Sequence, residues 1–576
     1  MRQWRDGVQN ALHGWLIAVL REQHRLIFDA ILLGILGALS AQLFMVLLRL
    51  AQTIFLKDLA GYIPLGLVND GGSPVEIIGS HGLWLIPLAT TLGGLIAGLL
   101  IYSWAPEAEG HGTDTAVKAF HRTGGFLRNR IAFIKMIAST ITIGSGGAGG
   151  REGPTALINA GFASIYATFT RRSDKERRLL VLTGMAAGLS AIFRSPIGTA
   201  VFVTEVLYGN MEFEASALIY TMLSSVVAYA INGLFVGWVP LFIVPTFPMP
   251  TFPEYFSYAL LGIISGIVAT ILPMVFYSTR DVFQSLPVPP HIKPAIGGLL
   301  VGLLAMVMPQ VLGGGYGWLQ AAIDGSLSAP TMLLLTFGMI LALSLTISSG
   351  GSGGVFAPSL FVGGMLGGAL GKFFNQPAAA FVVVGMAAVF AGAARVPFAA
   401  MLMVTEMTGG YHLLAPVALT VTLSYFIQVS LSSRLKYNSL YEAQVPFRAH
   451  SPAHHVEQLE SVLSLISEKK FSVPASVTHL DLRNLIEAGV PVDLPDHGQL
   501  ALLTLKPECE FINQPIFTAF PPNDRNDVNV IAIFRHGHML LPQSSLKLRA
   551  VDQLLAIVSH NGKDSLSNNH TLKVKV

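Results

Sequence analysis

The chain has 576 residues, 52% hydrophobic and only 12% charged, with a mean hydropathy of +0.58, whereas a soluble domain carries about 25% charged residues. This composition excludes an ordinary soluble protein and points to a polytopic membrane protein. A net charge of +3 without a concentrated basic face excludes a nucleic-acid partner. The single cysteine, Cys509, excludes an intrachain disulfide and any Cys-based zinc or iron–sulfur centre.

Residues 1–25 carry basic groups on both sides of a short apolar patch and no small-residue cleavage site, which predicts an interfacial helix and not a signal peptide. Residues 26–55 are long enough to span a bilayer. The segment 56–81, with Asp58, Asp70 and Glu76, is expected to be a loop outside the hydrocarbon. A second span is expected at 82–104, followed by the polar stretch EAEGHGTDTAVKAFHRTGGFLRNR. Residues 131–143 lead to a glycine-rich break, GSGGAGGREGP at 144–154, and 154–169 lead away to RRSDKERR at 171–178. The two basic clusters, at 121–130 and 171–178, then share one side, which the positive-inside rule makes cytoplasmic.

The apolar pieces 179–191 and 196–207 are too short to cross ~30 Å at about 1.5 Å per residue. They predict helices that stop within the membrane, where discontinuous backbone is tolerated only if buried in protein or lining a polar cavity. Longer spans resume at 215–236 and 255–277, and the pattern then restarts. GMAAGLSAIFRSPIGTAVFVTE at 184–205 matches GMAAVFAGAARVPFAAMLMVTE at 385–406, 201 residues on. Pro154 and Pro358, each closing a glycine loop, are 204 apart, and Gly110 pairs with Gly314 at the same offset. Three blocks in one order at nearly constant spacing make the chain a duplicated membrane unit, repeat 1 over 26–240 and repeat 2 over 241–447. In transporters such duplications are often inverted, with the binding site at the midplane.

Glycines let backbone N–H groups approach an ion, and a helix beginning at Pro154 or Pro358 adds the positive end of its dipole. Together they predict an anion site without a fixed cation. Partial charges hold an anion and release it, as conduction requires. Glu152 is the anomaly: ionised, it occupies the site; protonated, it withdraws. The alternative is a glutamate that caps its helix or pairs with Arg151. Phe356 stands at the corresponding place in the second copy, so the fold does not demand the carboxylate.

GREGP at 150–154, GGVFAP at 353–358 and the tyrosine of SLYEA, Tyr441, resemble the signature regions of the CLC family of chloride channels and chloride/proton exchangers, and the resemblance covers residues 1 to about 445. It implies an all-α polytopic membrane protein, an inverted repeat of tilted and partly spanning helices, forming a homodimer with one pore per subunit. It also implies that Glu152 is the gating glutamate and proton acceptor. Val355 and Phe356 correspond to backbone donors to the central anion, and Tyr441 to its inner hydroxyl ligand. Gly110, His111, Gly112, Arg151 and Gly153 complete the expected anion-binding set.

Two features depart from the family. Its usual GSGIP reads GHGTD here, with His111 for the serine and Asp114 for the proline. Neutral His111 can donate one N–H and protonated His111 attracts an anion; the alternative is that it faces away and backbone N–H groups near Gly110 and Gly112 suffice. The inner glutamate that passes protons in exchangers is replaced by Val206. Glu205 beside it recurs as Glu406 in the other repeat, which favours a structural role, such as satisfying backbone N–H groups.

The chain is therefore expected to move chloride, gated by Glu152, as passive conduction slightly ahead of chloride/proton exchange, with nitrate or fluoride as further alternatives. It is not expected to be an enzyme, since no Ser/His or metal constellation lies in the spans. The expected partners are chloride, protons, the lipid bilayer and a second copy, and no cofactor or metal is implied. The cell membrane is the expected location, with both termini cytoplasmic. Gly144, Gly146 and Gly149 also satisfy GxGxxG, but their flanks are membrane segments and not a soluble βαβ unit, and no Lys-Ser or Lys-Thr follows as a P-loop requires. His454 and His455, or His536 and His538, lack a carboxylate or cysteine framework for a metal.

From 448 the composition becomes soluble, with strand-like runs at 500–505 and 528–534. No doubled CBS unit is evident. Residues from Glu510 resemble the C-terminal lobe of RCK regulatory domains of potassium transport systems, in a strand ending at Arg535, a turn at Gly537, a proline after the next strand and Asp552 before the last. The resemblance implies a small α+β cytoplasmic domain over 448–562, either an effector-binding module with a small ligand or an inert dimerisation module. Residues 563–576 are expected to be a flexible tail.

Overall fold

In the computed structural model the described residues are 2–245, 250–454, 492–494, 498–506, 509–521, 528–535, 538–540, 542–543, 546–550, 552–558 and 572–575, with side chains from residue 24 onward except at 449, 492–494, 498–501, 534, 538–539 and 572–575. The chain forms two compact units, Met1–Gln444 and Val445–Val576. His455, His536 and the turn at Gly537 lie outside the described residues, as does the side chain of His538.

The first unit is all-helical apart from a two-stranded hairpin, β1 (Tyr62–Ile63) with β2 (Ile77–Ile78). Its first half holds α1 (Arg2–Gln52), α2 (Ile86–Trp104), α3 (Thr113–Arg122), α4 (Asn129–Gly144), α5 (Glu152–Phe169), α6 (Asp174–Phe193), α7 (Pro196–Glu205) and α8 (Ala215–Val236). The second half repeats the order in α9 (Phe252–Ser285), α10 (Lys293–Ala305), α11 (Tyr316–Ile323), α12 (Ala329–Ser348), α13 (Phe356–Phe373), α14 (Ala378–Ala394), α15 (Pro397–Thr408) and α16 (Leu414–Ser432). Among the described residues six segments are long and apolar enough to cross a membrane, including His24–Leu59, Ile86–Trp104, Ala215–Val236 and Phe252–Ser285. The expected interfacial helix at 1–25 is continuous with the first span, because nothing in the sequence there breaks the helix; α1 runs through it without interruption.

The duplication is reproduced in backbone detail. α5 and α13 begin and end 204 residues apart, and the breaks before them turn on Gly146 (φ 103°) and Gly350 (φ 100°), a conformation open to glycine and strained for other residues. Arg194 and Arg395, 201 apart, both adopt left-handed conformations between a longer and a shorter helix. One register is corrected by a residue: Gly110 and Gly112, with positive φ, correspond to Gly313 and Gly315, an offset of 203, so His111 and not Gly110 pairs with Gly314.

The helices expected to start at Pro154 and Pro358 start two residues earlier, with Glu152 and Phe356 as their first residues. Proline is tolerated there because the first N–H groups of a helix have no intrahelical acceptor. α13 and α14 pack closely through small residues: a Cβ on Gly367 would lie 2.0 Å from the Phe381 carbonyl oxygen and one on Gly363 2.2 Å from that of Gly385.

The second unit is built on an antiparallel sheet ordered β3 (Val492–Leu494), β4 (Gly498–Leu505), β7 (Gln553–Val558), β5 (Val528–Arg535) and β6 (His538–Leu540). Its core gathers Leu503, Leu505, Cys509, Ile516, Ile533, Leu548 and Leu554. Residues 572–575, expected within a flexible tail, form β8 (Leu572–Lys575) and pair antiparallel with β4, in keeping with their alternation of apolar residues and lysines.

Candidate functional site

The two glycine loops meet. Gly150 N–H donates to the Gly354 carbonyl at 2.7 Å and Gly354 N–H returns a bond to Gly150 at 2.6 Å, a short antiparallel bridge across the repeat axis. Around it, Gly149 N–H donates to Gly313 at 3.1 Å and its counterpart Gly353 N–H to Gly110 at 3.3 Å. The bridge brings the starts of α5 and α13 together, so two helices point their unsatisfied N–H groups and positive dipole ends into one buried region. Gly153 is required there by contact: a Cβ would lie 2.1 Å from the His111 carbonyl oxygen.

Glu152, the first residue of α5, is 1% exposed. Its Oε1 accepts a hydrogen bond from the Tyr316 hydroxyl, and its Oε2 lies beside the Ala357 N–H at the start of α13 without a hydrogen bond of full geometry. A carboxylate thus occupies the cradle where α5 and α13 converge. Arg151 does not reach into that cradle with its side chain. Its guanidinium pairs with Asp70, donates to Met45 Sδ at 3.3 Å and lies over the Tyr316 ring, 4.8 Å from the centroid. Its Nε is 3.9 Å from Glu152 Oε1. Asp70, expected in a loop away from the membrane interior, folds back onto this arginine, because Arg194 stands 3.6 Å from its other oxygen and donates to the Asn69 carbonyl at 2.9 Å.

His111 and Tyr441 come together on the other side of the loops. Their ring centroids are 5.3 Å apart, edge to face. His111 Nε2 is 3.4 Å from Asp114 Oδ2, while its buried Nδ1 has no protein partner. Asp114 also accepts from the Glu442 and Ala443 N–H groups, both at 3.2 Å, and so fixes the turn that carries Tyr441. Tyr441 is buried, with the Thr113 side chain beside its hydroxyl. Its ring is 6.4 Å from Phe202, which is 6.1 Å from Phe356, so an aromatic wall joins Tyr441 to the start of α13. Val355 is the N-cap of α13, next to Phe356.

Two clefts approach these groups. One of about 720 Å³ is lined by Gly110, His111, Gly112 and Asp114, with Lys118, Arg128 and Arg280. The other, about 380 Å³, is lined by Gly313, Gly314 and Gly315, with Arg49, Asp70, Arg151 and Tyr316. The glycines of one cleft correspond to those of the other, so each repeat contributes the equivalent turn to its own cleft.

No fixed cation is expected from the glycine loops alone, yet Lys135 lies buried under the GHG turn, its Nζ donating to the carbonyls of Gly110 at 2.7 Å and Ala108 at 3.0 Å. An ionisable residue inside the apolar run 131–143 is the signal that marks it. Tyr316 and Asp70 carry no local signal, since both reach the site from distant segments. Glu205 and Glu406 have the structural role expected of them: Glu205 accepts from the Phe398 and Ala399 N–H groups at 3.1 and 2.7 Å, and Glu406 from those of Ile197 and Gly198 at 3.2 and 2.8 Å. Val206, buried, follows α7 as its C-cap.

Residues 93–429 match the sequence profile of the voltage gated chloride channel family. The chain is 30% identical over 445 residues to the voltage-gated ClC-type chloride channel ClcB of Salmonella dublin, covering 75% of this chain and 100% of the relative. It is 32% identical over 446 residues to ClcB of Escherichia coli K12, covering 75% and 99%. Among solved structures, a CLC-type fluoride/proton antiporter superposes with a TM-score of 0.62 at 23% identity, covering 74% of this chain and 98% of the other. A slow cyanobacterial Cl−/H+ antiporter gives 0.62 at 20% identity, covering 71% and 95%. The chain belongs to the CLC family, the voltage gated chloride channels, and is an integral membrane protein of anion transport and not an enzyme.

Proposed function

We propose that the chain exchanges chloride for protons across the cell membrane, with Glu152 as gate and proton acceptor. The observation that carries this reading is the seat of Glu152: a buried carboxylate lies where two helix N-termini converge, so an anion and the carboxylate compete for the same N–H groups. Protonation removes the competing charge and frees the side chain to leave, which ties the anion's passage to a proton. The antiporters of the same fold support exchange over passive flow. In this reading Gly110, His111 and Gly112 contact the anion on one side, with Tyr441. Arg151, Gly153, Val355 and Phe356 contribute backbone N–H groups, because the Arg151 side chain is engaged by Asp70.

Passive chloride conduction is the second reading, favoured by Val206, which cannot carry a proton. Reversal potentials of protein in liposomes under a pH gradient separate the two. Exchange predicts a potential that shifts with the proton gradient and loses that shift in Glu152→Gln; a potential set by chloride alone overturns exchange. The protein acts as a homodimer with a pore in each subunit and both termini cytoplasmic, in keeping with the basic clusters of 121–130 and 171–178. The residues from 448 to 562 serve as a regulatory module of the RCK C-terminal type, and chloride is the substrate ahead of nitrate or fluoride.

A further inference from the structure

Comparing the repeats separates what the fold requires from what one copy adds, and Glu152 opposite Phe356 is one such addition. A second group of ionisable side chains stands out in the same way and has no part in the anion site. His121 in the last turn of α3, Tyr208 between α7 and α8, and Glu214 at the N-cap of α8 are exposed by only 2%, 0% and 4%. Glu214 accepts hydrogen bonds from the hydroxyls of Tyr208 and Ser216, both at 2.7 Å. The Tyr208 ring stands edge-on to His121 with centroids 5.8 Å apart, and His121 Nε2 lies 3.0 Å from the Leu207 carbonyl oxygen. Val206 and Leu207 are fully buried in this turn.

The other repeat is an internal control. Exposed Asp324 takes the place of His121, Gly409 that of Tyr208, and Leu413 the N-cap place of Glu214. That copy turns through 407–413 without a buried ionisable side chain, so the turn itself needs none. Glu214 is not explained as a cap either, because its side chain accepts no N–H from the first turn of α8. Burying a carboxylate, a phenol and an imidazole is costly unless hydrogen bonds and charge satisfy them, and here the Tyr208 hydroxyl binds the Glu214 carboxyl while its ring stands edge-on to His121.

We propose that His121, Tyr208 and Glu214 form a proton-holding site that exchanges protons with Glu152 across α7. This rests on the exchange reading above. In the transfer an O–H bond breaks on the Glu214 carboxyl and one forms on the Glu152 carboxylate, and water carries the proton past the single turn of α7 between Val206 and Phe202. Phe202 meets Phe356 at the start of α13, where Glu152 sits. The charged groups on the same and the packed elements include Lys118 and Arg122 of α3, Arg177 and Arg178 of α6, the latter over the Phe120 ring beside His121, Glu205 at the end of α7, and Glu212 in the turn.

The test is simultaneous recording of chloride and proton flux from liposomes holding the full-length protein. In Glu214→Gln and His121→Gln the protons moved per chloride are expected to fall about tenfold or more, in the range of a lost proton carrier. Glu214→Asp, which keeps a carboxylate, is expected to retain the coupling. Tyr208→Phe removes only a hydroxyl and keeps the ring packing, so it carries the test where loss of a buried charge unfolds the chain, and a reduced ratio is expected there too. A wild-type ratio in these variants overturns the proton site and leaves exchange standing. Chloride flux without proton flux in the unsubstituted protein overturns exchange itself and the proton site with it.

Discussion

Glu152 is flanked on two sides, and the group on each side comes from the other repeat. Tyr316, at the start of α11, gives its hydroxyl to Oε1, and α13 presents the Ala357 N–H beside Oε2. Arg151 steadies the phenol from above, and Asp70 with Arg194 steadies Arg151. The hydroxyl favours the seated carboxylate, so if Glu152 is the gate as proposed, Tyr316→Phe is expected to let it vacate more readily. The pH of half-maximal chloride flux then moves upward by about one unit, the scale of one hydrogen bond to a charged group. Flux measured against pH in liposomes checks this, and an unmoved midpoint shows that Tyr316 does not hold the gate. Glu152 was legible because a carboxylate among glycines at a helix start is locally anomalous. Tyr316 and Asp70 were not, because only the packed fold brings residues so distant in sequence within reach, and a tyrosine in an apolar segment reads as ordinary packing.

At the level of elements, α7 and α15 hold each other in place. Each carries in its last turn a glutamate that accepts the first N–H groups of the other: Glu205 serves Phe398 and Ala399, and Glu406 serves Ile197 and Gly198 with a further bond from the Ser195 hydroxyl at 2.6 Å. Negative charge at a helix N-terminus is favourable, and the two ends lie inside the protein where water is scarce. Glu205→Ala and Glu406→Ala are therefore expected to destabilise the protein by similar amounts, about 2 kcal/mol each for orphaned N–H groups. Thermal unfolding in detergent checks this; a large loss for one and none for the other breaks the symmetry argument. The recurrence of these glutamates was visible as a 201-residue offset, and the reading that they satisfy backbone groups followed from that recurrence. Their reciprocity was not visible, since the sequence does not say which helix each one reaches. The starts of α5 and α13 were misplaced by two residues because proline is allowed throughout a first turn and marks its exact origin poorly.

The whole molecule divides into a duplicated membrane unit and a sheet-based unit with a separate core. The duplication was legible because both halves kept their spacing and glycine positions. The second unit was legible in outline from its change of composition, and its strands from alternation, but β8 was missed because its lysines read as tail. The core of Leu503, Ile516, Ile533 and Leu554 lies wholly within Val445–Val576, so that unit is expected to unfold in a transition of its own. Its polar fastening is Asp552, 1% exposed at the side chain, which accepts from Arg535 Nε at 2.8 Å and Nη2 at 2.7 Å and from the Arg549 N–H at 2.8 Å. The same hydrogen bonds hold the Arg535 guanidinium proton more tightly than usual. Asp552→Asn removes the charge and at least one of these bonds, at a cost of about 2 kcal/mol, or roughly 8 °C in the midpoint of a unit of this size. Calorimetry is expected to show that fall in one transition, with the membrane unit's transition unmoved. A joint shift of both would show that the two cores unfold as one.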